Sequence, residues 1–210
     1  TSVSPEAVFA TPADAHELVF LDRLCRTVHV LNYVAEGSEA PFLFLNLDPR
    51  HIRAVAEHGL VFEGILRRSG LTPEQVVIEV LETAADDPES LGRAIENFRS
   101  RGFLVAIDDF GRGHANFDRL WNLNPDLIKF DRHLIASAAD DPRLGAVLPK
   151  LVDVARARGA RVLFEGVERE EELELARSSG ADLVQGYLLG RPAAHCAPQS
   201  SVRSQGRFDS

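Results

Sequence analysis

The stretch VAIDDFGRGHANF, residues 105–117, ends an apolar run with two adjacent aspartates and two closely spaced glycines. At the end of a buried strand, Asp108 and Asp109 would lose solvation, and their like charges would repel each other. A solvated turn would explain the pair, because Asp and Gly are common turn residues. A divalent cation between the carboxylates would also explain it. The pattern along the remaining chain decides which interpretation is favoured.

Six short apolar runs predict strands that are buried on both faces. They span residues 42–47, 76–81, 104–110, 127–131, 161–167 and 183–188. Helical patterns cover residues 12–35, 49–70, 86–102, 140–159 and 168–180, between these runs. Strands that alternate with helices predict parallel βα units in an α/β fold. Six strands are too few to close an eight-stranded barrel, so an incomplete barrel and an open doubly wound sheet both remain possible.

A polar side chain lies at or near the carboxyl end of every predicted strand. These residues are Asn46, Glu79, Asp108, Asp109, Lys129, Glu165 and Gln185. In a parallel β/α barrel all of these ends meet on the face that carries active sites. One buried acid could be a structural ion pair, but six consecutive strand ends with polar groups favour a functional site.

The atom types in this set predict metal-dependent phosphoryl chemistry. Amide and carboxylate oxygens are hard ligands that suit Mg²⁺ or Mn²⁺. Two such ions would activate a water molecule and stabilise an in-line displacement at phosphorus. Lys129 would supply a fixed positive charge, and Glu165 would act as a further ligand or as a proton acceptor. Gln185 would hold the water or another ligand.

Composition excludes several classes of protein. The length of 210 residues fits one domain, and the net charge of −9 argues against binding to a nucleic-acid polymer. Two distant cysteines form neither a disulfide framework nor a zinc pattern, which favours a reducing compartment. No apolar run is long enough to span a membrane. The sequence contains no methionine, so we expect Thr1 to follow further residues of a longer protein.

Six ordered motifs resemble those of the EAL-domain family of cyclic di-GMP phosphodiesterases. They are LNLDP (45–49), IEVLE (78–82), DDFGRG (108–113), KFD (129–131), EGVE (165–168) and QGYLLGRP (185–192). The resemblance implies a modified TIM-type (β/α) barrel with an antiparallel first strand. It also implies metal-dependent hydrolysis of cyclic di-GMP to the linear product pGpG, in bacterial signalling. We expect residues 1–192 to form this domain and residues 193–210 to form a C-terminal tail.

The resemblance assigns a role to each matching residue. By it, the metal ligands are Asn46, Glu79, Asp108 and Asp109, and the metal is Mg²⁺ or Mn²⁺, with two ions expected. Lys129 corresponds to the region of the catalytic water and second metal, and Glu165 and Gln185 correspond to active-site residues. Glu82 and Glu168 correspond to positions that hold the loop after Asp109 in place.

Three departures from the family pattern bear on activity. The motif Glu-Ala-Leu, with an Arg two residues later, does not occur in the sequence. We expect it upstream of Thr1, so the domain is N-terminally incomplete and lacks its leading strands. We therefore expect residues 1–210 alone to hydrolyse cyclic di-GMP poorly or not at all. Leu81 replaces the usual Thr, and residues 114–116 replace a Tyr-Ser-Ser-like run.

Two further functions compete with the enzyme. A catalytically degenerate member of the family could act as a cyclic di-GMP receptor or as a protein-interaction module. An unrelated sugar-phosphate barrel enzyme is disfavoured by the ordered motifs. We expect a cytoplasmic protein that is linked to sensory or other signalling domains, and the family also suggests a homodimer through elements near the DDFG loop. The apolar segment 19–34 is predicted to be core rather than a dimer face.

Overall fold

A computed structural model describes residues 5–37, 42–47, 55–81, 88–112 and 123–193. Six parallel strands form one sheet in this part of the chain. They are β1 (Leu43–Asn46), β2 (Val76–Leu81), β3 (Leu104–Phe110), β4 (Leu127–Phe130), β5 (Arg161–Phe164) and β6 (Leu183–Val184). All six predicted strands are therefore confirmed. β2 and β3 have the predicted bounds, whereas β1, β4, β5 and β6 are shorter than the apolar runs that predicted them.

Eight helices connect the strands in the described residues. They are α1 (Pro5–Phe9), α2 (Ala15–Ala35), α3 (Val55–Arg68), α4 (Pro88–Arg99), α5 (Arg132–Asp140), α6 (Pro142–Gly145), α7 (Leu148–Ala157) and α8 (Glu170–Ser179). A 3₁₀ turn at Pro73–Gln75 leads into β2. The sequence patterns predicted all the longer helices except α5, whose first turn is capped by the buried Asp131 carboxylate.

The strands follow one another in the sheet in chain order, from β1 to β6. A doubly wound sheet reverses its strand order at an internal switch point, and the six described strands contain no such reversal. The sheet is also strongly curled, because the guanidinium of Arg161 on β5 lies 4.9 Å from the ring centre of Phe42 beside β1. Four strand spacings in a flat sheet would separate them by about 19 Å. The fold is therefore of the β/α barrel type rather than the open type.

The two faces of the sheet have different partners. On the convex face, strand residues such as Ile78 and Phe130 pack in two buried clusters with the helices. On the concave face, Val77, Ala106 and Leu127 form a smaller apolar layer. Because side chains alternate along a strand, the residue two positions after each of these also points into the concavity. Those residues are Glu79, Asp108 and Lys129.

Aspartates at the amino ends of two strands fix the sheet to the helices around it. The Asp126 carboxylate accepts a hydrogen bond from the Val105 amide at 2.9 Å and also binds Arg99. Asp182 repeats this arrangement with the Val162 amide at 2.8 Å. Asp126 and Asp182 therefore have a structural role at the amino ends of the strands. The acids at the opposite ends of the strands, in contrast, face the concavity.

Helix α2 departs from what its sequence predicts. Val30 is fully buried, but Phe20 is 62% exposed and Leu31 is 53% exposed. The prediction that the apolar segment 19–34 is core is therefore wrong for its outer side chains. Among the described residues, no helix has both the length and the apolar character needed to cross a bilayer.

Candidate active site

Four of the predicted site residues converge at the carboxyl ends of β2 to β5. The Lys129 ammonium nitrogen lies 2.9 Å from Asp108 Oδ1 and 2.6 Å from Glu165 Oε1. It also forms an ion pair with Glu79. Strand alternation turns all four side chains into the concavity, and the curl of the sheet then brings β2 and β5 towards the lysine between them.

The cluster is buried and carries excess negative charge. The side chains of Lys129 and Glu79 are 5% and 7% exposed, and those of Asp108 and Glu165 are only slightly more open. One ammonium group faces three carboxylates, so two negative charges are uncompensated when all the acids are ionised. Burying such charge is unfavourable without a further cation or bound protons.

The pKa values of the cluster reflect this environment. Burial raises the pKa of Glu165 to about 7, although the neighbouring Lys129 opposes the shift. Burial likewise raises the pKa of Glu79, with a further increase from the charges of Asp108 and Asp109. Burial alone would lower the pKa of Lys129, but the surrounding carboxylates raise it above its ordinary value. The ammonium group therefore stays charged, while Glu165 can exchange a proton near neutral pH.

The two adjacent aspartates point in different directions. The register between β3 and β4 shifts between Ile107 and Phe110, and Asp109 adopts a left-handed conformation with φ 57°. The Asp109 carboxylate then accepts a hydrogen bond from Arg112 at 3.0 Å, and its amide donates to Asp108 Oδ1 at 3.0 Å. The structure therefore brings Asp108 directly into the cluster, whereas Asp109 lies beside it and is paired with an arginine.

Asn46 and Gln185 lie at the two ends of the arc of strands. Asn46 is the register partner of Glu79, and its side chain is exposed. Gln185 follows β6, where its amide donates to the Phe164 carbonyl at 2.9 Å and its carbonyl accepts from the Val167 amide. The Gln185 side chain is also exposed. Both residues border the concavity.

The role predicted for Glu82 and Glu168, holding the loop after Asp109 in place, stays a prediction. The Glu168 carboxylate lies 3.7 Å from Arg132 Nη1, at the surface. Glu82 and residues 113–120 of the loop itself lie outside the described residues. The predicted tail, 193–210, is also outside them beyond its first residue.

Two neighbours of the cluster were not predicted from the sequence. The Phe44 ring centre lies 6.0 Å from the Lys129 ammonium nitrogen, within range of a cation–π contact. Strand alternation could have identified Phe44, because it lies two positions before Asn46 and faces the same side. The second neighbour is Arg112, which occupies the variable position of the DDFGRG motif and gave no signal of its pairing with Asp109.

The donor set fits a hard divalent cation. Glu79, Asp108 and Glu165 each offer a carboxylate oxygen, and these atoms all lie within 4.8 Å of one another. Carboxylate oxygens in this number suit Mg²⁺, Mn²⁺ or Ca²⁺. The uncompensated negative charge of the cluster favours the same interpretation, since a cation would neutralise it.

A curled sheet of parallel strands, with acids and a lysine at the carboxyl ends, defines the class of β/α barrels that carry an acidic active site. The model of the EAL domain family matches residues 1–192. The chain therefore belongs to the EAL domain family.

Three similar proteins illustrate the relationship. A probable cyclic di-GMP phosphodiesterase of Escherichia coli, PdeA, is 34% identical over 61% of this chain and 18% of its own length. The cyclic di-GMP phosphodiesterase RocR of Pseudomonas aeruginosa is 33% identical over 71% of this chain and 38% of its own length. A structure of Klebsiella pneumoniae BlrP1 with manganese and cyclic di-GMP has a TM-score of 0.81, at 29% identity. That alignment covers 90% of this chain and 48% of BlrP1.

Proposed function

We propose that the protein to which this chain belongs hydrolyses cyclic di-GMP to the linear dinucleotide pGpG, using Mg²⁺ or Mn²⁺. The observation that carries the proposal is the convergence of Glu79, Asp108 and Glu165 on Lys129. Membership of the EAL family and similarity to proteins that are named as cyclic di-GMP phosphodiesterases support the choice of substrate.

Glu79 and Asp108 would hold the metal, with Glu165, Asn46 and Asp109 as further oxygen donors. Bound divalent ions supply Lewis-acid activation of water and stabilisation of negative charge on the phosphate. We propose two ions, because one Mg²⁺ is usually bound through only one or two carboxylates, and this donor set contains four. The concavity that these residues border would receive the phosphodiester.

Glu165 would accept a proton from the attacking water, because its pKa of about 7 suits proton exchange at neutral pH. The water oxygen forms a bond to phosphorus while the bond from phosphorus to the ribose 3′ oxygen breaks. The 3′ oxygen takes up a proton, and the product carries a 5′ phosphate. Lys129 stays positively charged and would stabilise the negative charge that develops on the phosphate oxygens. Gln185 would orient the water from the rim.

The direct test is chromatographic detection of pGpG after incubation with cyclic di-GMP and Mn²⁺ or Mg²⁺. For the full-length protein we expect turnover that stops with a chelator and falls at least about 10²-fold in Glu165→Gln. Asp153→Asn, on the exposed face of α7, is the matched control and should retain activity. Absence of both hydrolysis and cyclic di-GMP binding would overturn the proposal.

One observation favours a receptor as the second candidate. Leu81, which replaces the usual Thr of the family, is the register partner of Asp108. A hydroxyl is therefore missing next to a proposed metal ligand. A receptor would bind cyclic di-GMP in calorimetry without producing pGpG, so the same pair of measurements separates the two functions.

The setting of the activity is also a proposal. We propose that the domain works in the bacterial cytoplasm, together with linked sensory or other signalling domains. The chain spans 18% of PdeA and 38% of RocR, so these relatives carry much additional sequence. The partner proposed for the site is cyclic di-GMP itself.

A further inference from the structure

Side chains on the concave face of the sheet lie in layers beneath the candidate site. In a β/α barrel, each interior layer takes its members from alternate strands. Glu79 on β2 and Lys129 on β4 therefore belong to one layer. The strands β1, β3 and β5 place Phe44, Ala106 and Leu163 in the next layer towards the amino ends. Phe44 is the largest side chain of this lower layer, and it packs against the apolar residues of the concave face.

Two of the acids lie in the layer on the other side of the lysine. Asp108 and Glu165 follow the β3 and β5 members of the lower layer by two positions, so they point into the concavity nearer its carboxyl end. The Lys129 ammonium nitrogen is 2.9 Å from Asp108 and 2.6 Å from Glu165. The same nitrogen lies over the Phe44 ring, 6.0 Å from its centre. The lysine is therefore enclosed between carboxylates above it and an aromatic ring below it.

A second aromatic residue braces the Phe44 ring. The rings of Phe42 and Phe44 meet edge to face, with centres 6.4 Å apart and planes at 79°. Phe42 in turn lies beneath the guanidinium of Arg161, at 4.9 Å from its ring centre. The chain around β1 thus carries two inward-facing rings, and each has a cation from β4 or β5 over its face. This repeated arrangement indicates an electrostatic contribution in addition to packing.

The Phe44 ring attracts the lysine without offering it a hydrogen-bond acceptor. Lysine is a compact charge on a flexible stem of carbon atoms, so its head group needs partners to hold it in one position. The negative face of an aromatic ring attracts such a charge, and the attraction strengthens where water is excluded. The Lys129 side chain is only 5% exposed. The ring therefore favours one position of the ammonium group and leaves its protons to the carboxylates.

We propose that Phe44 is a positioning residue, whose aromatic ring holds the Lys129 ammonium group against the carboxylates of the site by a cation–π contact. Phe44 acts through the lysine, because it lies in the layer below the groups that would meet the substrate. Its effect on turnover rests on the proposed function, in which Lys129 stabilises negative charge on the phosphate. The contact itself does not depend on that function and can be measured separately.

The first test changes the face of the ring while keeping the shape of the side chain nearly the same. Phenylalanine with one, two or three fluorine atoms is incorporated at position 44 of the full-length protein by amber suppression. Each added fluorine withdraws electrons from the ring face, so the attraction to the ammonium group falls stepwise. Fluorine NMR signals of the folded and unfolded forms are measured against urea, with a chelator present. We expect the unfolding equilibrium constant to rise by about three- to tenfold across the series.

The same series at position 98 is the matched control. The Phe98 ring is buried and packs edge to face against Phe103, at 5.5 Å between centres, so a general effect of fluorine on a buried ring will appear there too. The trend at position 44 should exceed this control and should disappear in Lys129→Met. Equal trends at the two positions would refute the proposal, a result that does not require Lys129→Met to fold. A trend that persists in folded Lys129→Met would refute it as well.

The second test measures the contribution of the ring to turnover. Phe44→Leu keeps an apolar side chain but removes the ring, whereas Phe44→Tyr keeps the ring. For the full-length protein we expect kcat to fall about three- to tenfold in Phe44→Leu, with KM unchanged, and to stay near its original value in Phe44→Tyr. An unchanged kcat in Phe44→Leu would overturn the positioning role in the reaction. If the unmodified protein forms no pGpG, the proposed function fails, and the fluorine series still decides whether Phe44 holds Lys129.

Discussion

The ammonium nitrogen of Lys129 lies 2.6 Å from a carboxylate oxygen of Glu165, and the same nitrogen pairs with Glu79 and Asp108. The lysine comes from β4, and the three acids come from β2, β3 and the residue after β5. A single buried cation thus connects four neighbouring parts of the sheet. It compensates only one of three negative charges, so the stability of the metal-free protein should depend on this lysine and on pH.

We expect Lys129→Met to destabilise the metal-free protein by about 3–5 kcal/mol at pH 8, because it leaves buried carboxylates without their counter-charge. The loss should be smaller at pH 5, where the carboxylates with raised pKa values take up protons. Urea unfolding followed by circular dichroism at the two pH values measures both effects. Lys150→Met is the control, because Lys150 is the only other lysine in the sequence and its side chain is exposed. Equal losses at both pH values would contradict the electrostatic explanation.

The raised pKa of Glu165 predicts a specific pH dependence of stability. Its folded-state pKa of about 7 exceeds its ordinary value of 4.5, so the folded state binds the proton more tightly. Its contribution to stability is therefore greatest at low pH and is lost as the pH rises from about 4.5 to about 7. Glu165→Gln should remove this slope and stabilise the protein at pH 8 by up to about 3 kcal/mol.

The measurement for Glu165→Gln is a series of urea unfolding curves between pH 4.5 and 8, in the presence of a chelator. Glu174→Gln, at an exposed position on α8, should leave the slope of the unmodified chain in place. An unchanged slope in Glu165→Gln would show that another group titrates in this range.

The sequence predicted the strands because buried parallel strands are short, continuous apolar runs with recognisable ends. It did not predict α5, because this helix begins immediately after β4. In the sequence, Asp131 is equally consistent with the last residue of a strand and with the N-cap of a helix. The choice between a barrel and an open sheet also required the structure. Contacts across the concavity, such as that between Arg161 and Phe42, decide it, and they depend on sheet curl rather than on strand order.

Strand alternation was sufficient to predict four residues of the site. Glu79, Asp108, Lys129 and Glu165 share one face of the sheet because each follows an inward-facing residue by two positions. The different orientation of Asp109 was not predictable, because it results from an irregularity in strand pairing and a left-handed backbone. The resemblance to the family implies that Asp109 is a metal ligand, but the motif gave no sign that Asp109 pairs with Arg112.

We expect Asp108→Asn to weaken Mn²⁺ binding by at least about tenfold, because it removes an anionic oxygen donor from the carboxylate group. The fold should be retained, since the substitution also reduces repulsion with Glu79 and Glu165. Isothermal titration calorimetry measures the affinity, and circular dichroism follows the fold. Asp153→Asn makes the same change of net charge at an exposed position on α7. Unchanged affinity in Asp108→Asn would exclude this aspartate as a ligand.

Gly186 provides a test of how closely the segments after β5 and β6 must pack. A methyl group there would collide with the backbone nitrogen and carbonyl oxygen of Val167. That backbone cannot easily withdraw, because its amide donates to the Gln185 carbonyl at 3.1 Å and its carbonyl accepts from Leu188 at 3.0 Å. We therefore expect Gly186→Ala to cost about 1–3 kcal/mol of unfolding free energy. It should also reduce cyclic di-GMP turnover, because Glu165 and Gln185 border this contact.

Gly64→Ala is the matched control for this substitution. Gly64 lies within α3, and a methyl group added there has no neighbour within 4 Å. Alanine has the higher helix propensity, so this variant should gain about 0.5–1 kcal/mol and keep its activity. Urea unfolding and the pGpG assay on both variants give the comparison. If Gly186→Ala were as stable and as active as Gly64→Ala, the close contact with Val167 would not be needed to hold Glu165 and Gln185 in place.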